Sequence, residues 1–364
     1  MVRVALIGTG SIAVQNHIPG IRLHPQGQVV ALCDPDPRAL AAASATVGVD
    51  RTYADYASLL RQDDVDAVVI ATPNHVHKPI AEAAIAAGKH VLCEKPLGLD
   101  HAETESMRLA AERARVVHMT AFTYRFIPAI RWMKALIAEG AIGTPYHVRI
   151  QRLQDWGDRA LGWRQHKALC GSGELGDMLA HRIDYAHFLL GPIARLVAQT
   201  RQVLPERRTP DGHVDASDVD DWVAVIGEMA AGATAVFEST KMATGRGSGA
   251  ESIDAVEING SDATLVYTLE HPHALSIGRP GGTHLDSVPV PASFLRIPAS
   301  PRDPQAHDPR QGFRYDQGVE FVEAIAAGRS ASPDFADGSR AQAVMDAILR
   351  SAEQRQWIDI PAWT

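Results

Sequence analysis

The hexapeptide Gly8-Thr9-Gly10-Ser11-Ile12-Ala13 follows directly on the apolar run Val2 to Ile7. A strand that ends in G-x-G-x-x-A and opens into a helix forms a phosphate cradle. The first glycine allows the tight turn, the second lets the backbone approach a pyrophosphate, and the small last residue lets the helix sit close to the strand. Glycine-rich turns after strands are common, so the pattern needs a second signal. Asp34 supplies one, closing the next apolar run where a carboxylate can accept hydrogen bonds from an adenosine ribose. It would repel a 2′-phosphate, so NAD is favoured over NADP; the plainer reading of Asp34 is a turn residue before Pro35.

The first third alternates β-type apolar runs with Ala-rich helical patterns, the signature of a parallel sheet covered on both faces. Strands are expected over Val2 to Ile7, Gln28 to Cys33, Ala67 to Ala71, His90 to Cys93 and Val116 to Ala121. Asp100 with Glu103 reads as a capping box. After Ala121 the texture shifts to a helix (Ile127 to Glu139) and longer β segments: Tyr146 to Leu153, Ala194 to Val203, Trp222 to Glu228, Thr234 to Thr240, Ile253 to Ile258 and Thr264 to Thr268. Asn259-Gly260 is expected to turn between two of them. A helix from Gly173 to Leu190 interrupts the series, two more close the chain, and Val288 to Gly312 reads as a long surface loop. The fold expected is therefore α/β, with a dinucleotide-binding domain at 1–121 and an α/β domain carrying a large, mostly antiparallel sheet at 122–364, whose last helix returns to the first domain.

Lys plus Arg number 35 against 43 Asp plus Glu, a formal charge of −8. That balance lacks the basic footprint of a nucleic-acid binder or an anionic-membrane binder. Cys33, Cys93 and Cys170 are too scattered for a disulfide framework or a cysteine metal cage. No stretch approaches the ~18 apolar residues of a membrane span, and the N-terminus lacks a signal-peptide pattern. A cytoplasmic setting and a small-molecule substrate are expected.

In an open α/β sheet, ligands collect beyond the carboxyl ends of the strands. That directs Ala71-Thr72-Pro73-Asn74-His75-Val76-His77 and Glu94-Lys95-Pro96 at the crevice that the glycine loop serves. Lys95, partly desolvated beside a cofactor, would suit proton transfer or polarisation of a hydroxyl oxygen; the plainer reading is an ion-pair partner for Glu94. Asp177, His181 and Asp184 are spaced i, i+4 and i+7, so one helical face carries all three. Asp177 can then charge-stabilise His181 as a general acid/base, or the three can form an exposed polar stripe. No outside ligand joins them, so no metal site is expected. Arg149, Arg152, Arg159, Arg164 and Lys167 make a basic stretch that could suit an anionic sugar, with Arg152 as a substrate contact, or a solvated strand and loop.

Taken together, these motifs, with Tyr124-Arg125-Phe126-x-Pro128, Gly162-Trp163-Arg164 and Gly171 to Asp184, resemble the Gfo/Idh/MocA oxidoreductase family along the whole chain. The resemblance implies a Rossmann domain followed by an α/β domain whose open sheet often serves oligomerisation, here as a homodimer or homotetramer. It implies that Lys95, Asp177 and His181 form the catalytic group, that Asp184, Tyr124 and Trp163 contact substrate, and that Trp163 and Arg164 lie near the nicotinamide. Gly8, Thr9, Gly10, Ser11, Ile12, Asp34, Ala71, Thr72, Pro73, Asn74, His77, Glu94 and Lys95 complete the cofactor set. Two departures bear on substrate identity: Leu179 stands where the family pattern has Gly, and Thr123 where it has Asn. Hydride transfer from a secondary hydroxyl of a sugar, polyol or glycoside is the activity expected. An NAD-dependent glycosidase acting through transient C3 oxidation is the alternative, and a non-catalytic sugar sensor the third reading.

Overall fold

The apolar run at the N-terminus forms strand β1 (Val2–Ile7), the centre of a six-stranded parallel sheet. In the computed structural model, which describes residues 1–248 and 251–362, β1 is flanked by β2 (Gly27–Cys33) and, beyond it, β3 (Thr52–Tyr53). On the other side lie β4 (Ala67–Ile70), β5 (His90–Cys93) and β6 (His118–Thr120), giving the order β3-β2-β1-β4-β5-β6. The connections therefore diverge on either side of β1, the switch point at which such sheets bind ligands. Ile7, Ala31, Val68, Ile70, Val91 and Cys93 bury together with Phe335 in one cluster. Helix His101–Ala114 is capped by Asp100, whose carboxylate accepts from Glu103 N at 2.8 Å. The reciprocal arm of the expected capping box is displaced by one residue: the Glu103 carboxylate accepts from Leu99 N at 2.9 Å.

The chain divides into two compact units, residues 1–126 with 296–339, and residues 127–295 with 340–364. The segment 296–339 was expected in the second domain, and long-range pairs explain why it joins the first. His24 meets Glu323 on helix Arg314–Ala327 at 2.9 Å, and Arg125 meets Asp337 at 3.1 Å. The Tyr124 hydroxyl accepts from Arg314 at 3.2 Å. Part of the expected surface loop is also interior. Arg302 is 2% exposed and pairs through two nitrogens with Asp316, itself 0% exposed.

The second unit is built on a nine-stranded sheet. Its strands are β7 (Pro145–Leu153), β8 (Ile193–Arg201), β11 (Trp222–Met229), β12 (Thr234–Thr240), β13 (Ile253–Gly260), β14 (Thr264–Thr268), β15 (Ala274–Gly278), β16 (Asp286–Pro289) and β17 (Ile358–Asp359). A separate hairpin holds β9 (Glu206–Arg208) and β10 (Val214–Ala216). The order is β16-β15-β14-β13-β7-β12-β11-β8-β17, with every pairing antiparallel except β7 with β12. Val148, Ile150, Ala235, Phe237, Val256 and Ile258 turn inward, on the face where helices Pro128–Ala138 and Ala180–Leu190 pack. The Asn259-Gly260 turn is a correction: β13 runs through Gly260 and the chain reverses at Ser261-Asp262, closed by Gly260 N donating to Ala263 O at 2.9 Å. Gly260 is needed for a close approach instead, since a Cβ there would stand 2.1 Å from Ile142 O.

Candidate active site

Each motif of the first unit begins where a parallel strand stops. Gly8 follows β1 at φ +92°, and a Cβ on it would stand 2.5 Å from Ala71 O, the residue that follows β4. Only glycine lets these two strand ends touch. Gly10 is exposed, and a Cβ on it would meet nothing within 4 Å. The helical segment 11–23 begins directly after it. Asp34 follows β2 and holds the loop from behind: its Oδ2 accepts from Thr9 N at 2.8 Å and Thr9 Oγ1 at 2.9 Å. An open glycine cradle, exposed Ser11, half-buried Ile12 and a carboxylate at the end of β2 together fit a dinucleotide.

The loops after β4 and β5 are tied to each other and to the glycine segment. His77 is 0% exposed, with Nδ1 at 2.9 Å from Pro96 O and Nε2 at 3.0 Å from Thr72 O. Burial pushes its pKa down against the pull of those two carbonyls, and the neutral ring donates to one of them at a time. Glu94 accepts from His17 at 2.8 Å and from Lys95 N at 3.2 Å. Burial alone would raise the Glu94 carboxyl, but the His17 hydrogen bond and the nearby His17 and Lys95 charges hold it below the usual range. His77 and Glu94 thus brace the backbone of the expected cofactor loops, with both His77 ring nitrogens already committed. Lys95, Ala71, Thr72 and Pro73 remain half-buried, and Asn74 is buried. His17 was missed from sequence; its only signal was a histidine on the first helix near the glycine loop.

In the second unit, the segment Leu175–Leu179 forms a π-type turn, continued by α-helix Ala180–Leu190. Leu175, Leu179 and Ile183 bury as an apolar stripe. Asp177 is half-buried, His181 4% exposed and Asp184 1% exposed. The exposed polar stripe is therefore set aside: these are sheltered groups, where charge interactions are strong. Leu179, the departure from Gly, points into the interior at 0% exposure, and Thr123 Oγ1 has no partner among the described residues.

Glu174, unnoticed in the sequence, sits one turn before Asp177 at 0% exposure and accepts from Ser239 Oγ at 2.5 Å. Burial pushes its carboxyl to about 8, against the opposing pull of Ser239 and Lys241. The folded chain then holds a proton that an unfolded carboxylate releases near 4.5, so Glu174 lowers stability progressively as pH rises from there through about 8. A Glu174→Gln variant, which does not titrate, should gain melting temperature relative to wild type between about pH 6 and about pH 9. A difference that stays constant across that range would contradict the raised pKa.

The basic stretch does not form one patch. Arg152 is buried at 3%, bonded to Ser252 at 2.8 Å and 3.7 Å from Asp254, which Arg182 also contacts. Arg149 lies an odd number of residues away on β7, so it faces the opposite side. The Arg159 guanidinium stacks 4.4 Å from the Trp156 ring centroid and Arg164 4.2 Å from Trp163. Lys167 is exposed. Tyr124 is 5% exposed with its hydroxyl held by Arg314. Among the described residues no cluster of His, Cys, Asp or Glu could hold a metal, and no helix is long and apolar enough to cross a membrane.

A parallel sheet with a glycine cradle at its switch point, in a chain whose second unit carries sheltered Asp177 and His181, defines a nucleotide-dependent oxidoreductase. Residues 2–122 match the family described as "Oxidoreductase family, NAD-binding Rossmann fold", and residues 130–266 match the GFO/IDH/MocA C-terminal domain. The chain belongs to the Gfo/Idh/MocA family of oxidoreductases, and its first unit is an NAD-binding Rossmann domain. It is 34% identical to levoglucosan dehydrogenase of Pseudarthrobacter phenanthrenivorans over 93% of this chain and 90% of that protein. It is 28% identical to inositol 2-dehydrogenase of Rhizobium meliloti over 99% of each. A solved levoglucosan dehydrogenase, in complex with NADH and levoglucosan, superposes with a TM-score of 0.89 at 32% identity, covering 99% of this chain and 100% of that one.

Proposed function

We propose that the protein uses NAD to oxidise a secondary hydroxyl of a sugar or polyol, with an anhydrosugar such as levoglucosan the first substrate to test. The observation that carries this reading is the likeness to levoglucosan dehydrogenase along nearly all of both chains, with the Lys95, Asp177 and His181 expected of the family all retained. Bound NAD supplies the hydride acceptor. His181 takes the hydroxyl proton, Asp177 stabilises the resulting imidazolium, and Lys95 holds the oxygen as negative charge develops on it. Asp184 and Trp163 contact the sugar, and Trp163 with Arg164 serves the nicotinamide. The test is NAD reduction across levoglucosan, myo-inositol, common hexoses and glycosides. The expected result is one NADH per sugar consumed, with at least one sugar turned over efficiently. Absence of NAD-coupled turnover on the whole panel would overturn the reading, and glycoside cleavage without NADH accumulation would replace it by the glycosidase alternative.

We further propose that the open face of the nine-stranded sheet joins copies of the chain. Ile226 on β11 is 55% exposed and Val236, its partner in register on β12, 40% exposed. Val197 on β8 lies on the other side of Ile226, so an apolar strip crosses three strands. Ile226→Asp should lower the mass in solution to that of one chain, measured by light scattering. An unchanged mass would remove this face from the assembly.

A further inference from the structure

The helix that carries Asp177 and His181 has no side-chain cap of its own. Its first turn is held from outside, by one residue. Asp220, 8% exposed and two residues before β11, receives three consecutive amides. Gly173 N donates to Asp220 Oδ1 at 2.8 Å, Glu174 N to the Asp220 carbonyl at 2.9 Å, and Leu175 N to Oδ2 at 2.8 Å. The approach is close enough that a Cβ on Gly173 would stand 2.0 Å from Asp220 O. Ser239 on β12 adds a second anchor through the Glu174 carboxyl. These contacts fix where the helix starts, just where its geometry departs from the α form: the π-type turn Leu175–Leu179 spends one extra residue per hydrogen-bonded ring. The relative direction of Asp177 and His181 depends on that turn, since Asp177 lies inside it and His181 just beyond.

We infer that Asp220 is a positioning residue for the Asp177–His181 pair: by capping the helix across space it sets the π-type turn and so the direction of Asp177 relative to the imidazole. This rests on the catalytic assignment proposed above. An exposed N-cap aspartate would do the same for helix stability, but Asp220 binds with both oxygens and its own carbonyl, an over-determined arrangement that suits precision. Burial raises its carboxyl pKa, while the Leu175 and Gly173 amides and the Lys241 charge favour the ionised acceptor.

The test is a double-mutant cycle on the sugar of the panel that the wild type turns over fastest, at saturating NAD. Asp220→Ala should lower kcat about 100-fold, the order expected for an ~1 Å misplacement of a catalytic group, with the KM for NAD within about twofold. Asp220→Asn, which keeps the main-chain bond and one side-chain acceptor, should recover most of that loss and guards against an alanine variant that fails to fold. If Asp220 acts through Asp177, then Asp220→Ala placed on an Asp177→Asn background should cost less than about twofold further, against its ~100-fold cost in the wild type. A purely structural role predicts full additivity and a loss that follows melting temperature, and either result would overturn the inference. Should Asp177→Asn and His181→Ala themselves retain near-normal turnover, the catalytic assignment fails first, and the two failures are told apart.

Discussion

Replacing His181 by alanine should lower turnover by about 10³-fold while leaving NAD affinity within about twofold. A positioned general base contributes on the order of 10²–10⁴ to rate, and His181 is 4% exposed, so no bulk water stands ready to replace it. The cofactor cradle at Gly8, Gly10 and Asp34 belongs to the other compact unit. NAD binding, followed by quenching of protein fluorescence, should therefore be insensitive to the change. Lys95→Ala should behave similarly, with a loss of about 10²–10³-fold if its charge stabilises the developing oxyanion. Turnover within about tenfold of wild type for both would end the assignment of these residues.

The second large effect concerns cofactor choice. Asp34 lies at the end of β2, its Oδ2 engaged by Thr9 and its Oδ1 by Asp36 N at 3.0 Å. If Asp34 faces the adenosine ribose as proposed, the diol would add hydrogen bonds to that charged acceptor, each worth ~1.5–3 kcal/mol, whereas a 2′-phosphate would bring like charge against it. Asp34→Ser keeps a small acceptor behind the loop and removes the charge. Its kcat/KM for NAD should fall by roughly 10- to 100-fold while that for NADP rises, so that the preference ratio shifts by about two orders of magnitude. An unchanged ratio would mean that the carboxylate only braces Thr9.

The parts of the fold that were legible in the sequence are those written in local periodicity. β1, β5, β12 and β14 fall where their apolar runs do, because a buried strand needs little beyond its own side chains to declare itself. The hairpin β9–β10 and strand β16 carry mostly exposed residues and left no such trace, and β15 is only five residues long with two apolar side chains buried between half-buried ones. The site divided in the same way. Gly8, Gly10 and Asp34 announce themselves by backbone need and spacing. His17, Glu174 and Asp220 act through partners 77, 65 and 47 residues distant, and no spacing rule reaches that far. Arg152 shows the other side of this: its partners Ser252 and Asp254 lie 100 and 102 residues away, and no spacing rule reveals a charge held in the interior.

The assignment of residues 296–339 to the first unit has a consequence for biosynthesis. The glycine loop and Asp34 leave the ribosome early, yet Tyr124, Arg125 and His24 await Arg314, Asp337 and Glu323. Until those arrive, Arg125 cannot make its 3.1 Å ion pair with Asp337. Synthesis runs from the N-terminus at ~5–20 residues per second, so the nucleotide-binding half, first to be translated, is among the last parts to be completed. The same topology means that cutting the chain after residue 126 would not release a free-standing nucleotide-binding module: the glycine loop and Asp34 would be present, and the braces at Arg314, Glu323 and Asp337 would be gone.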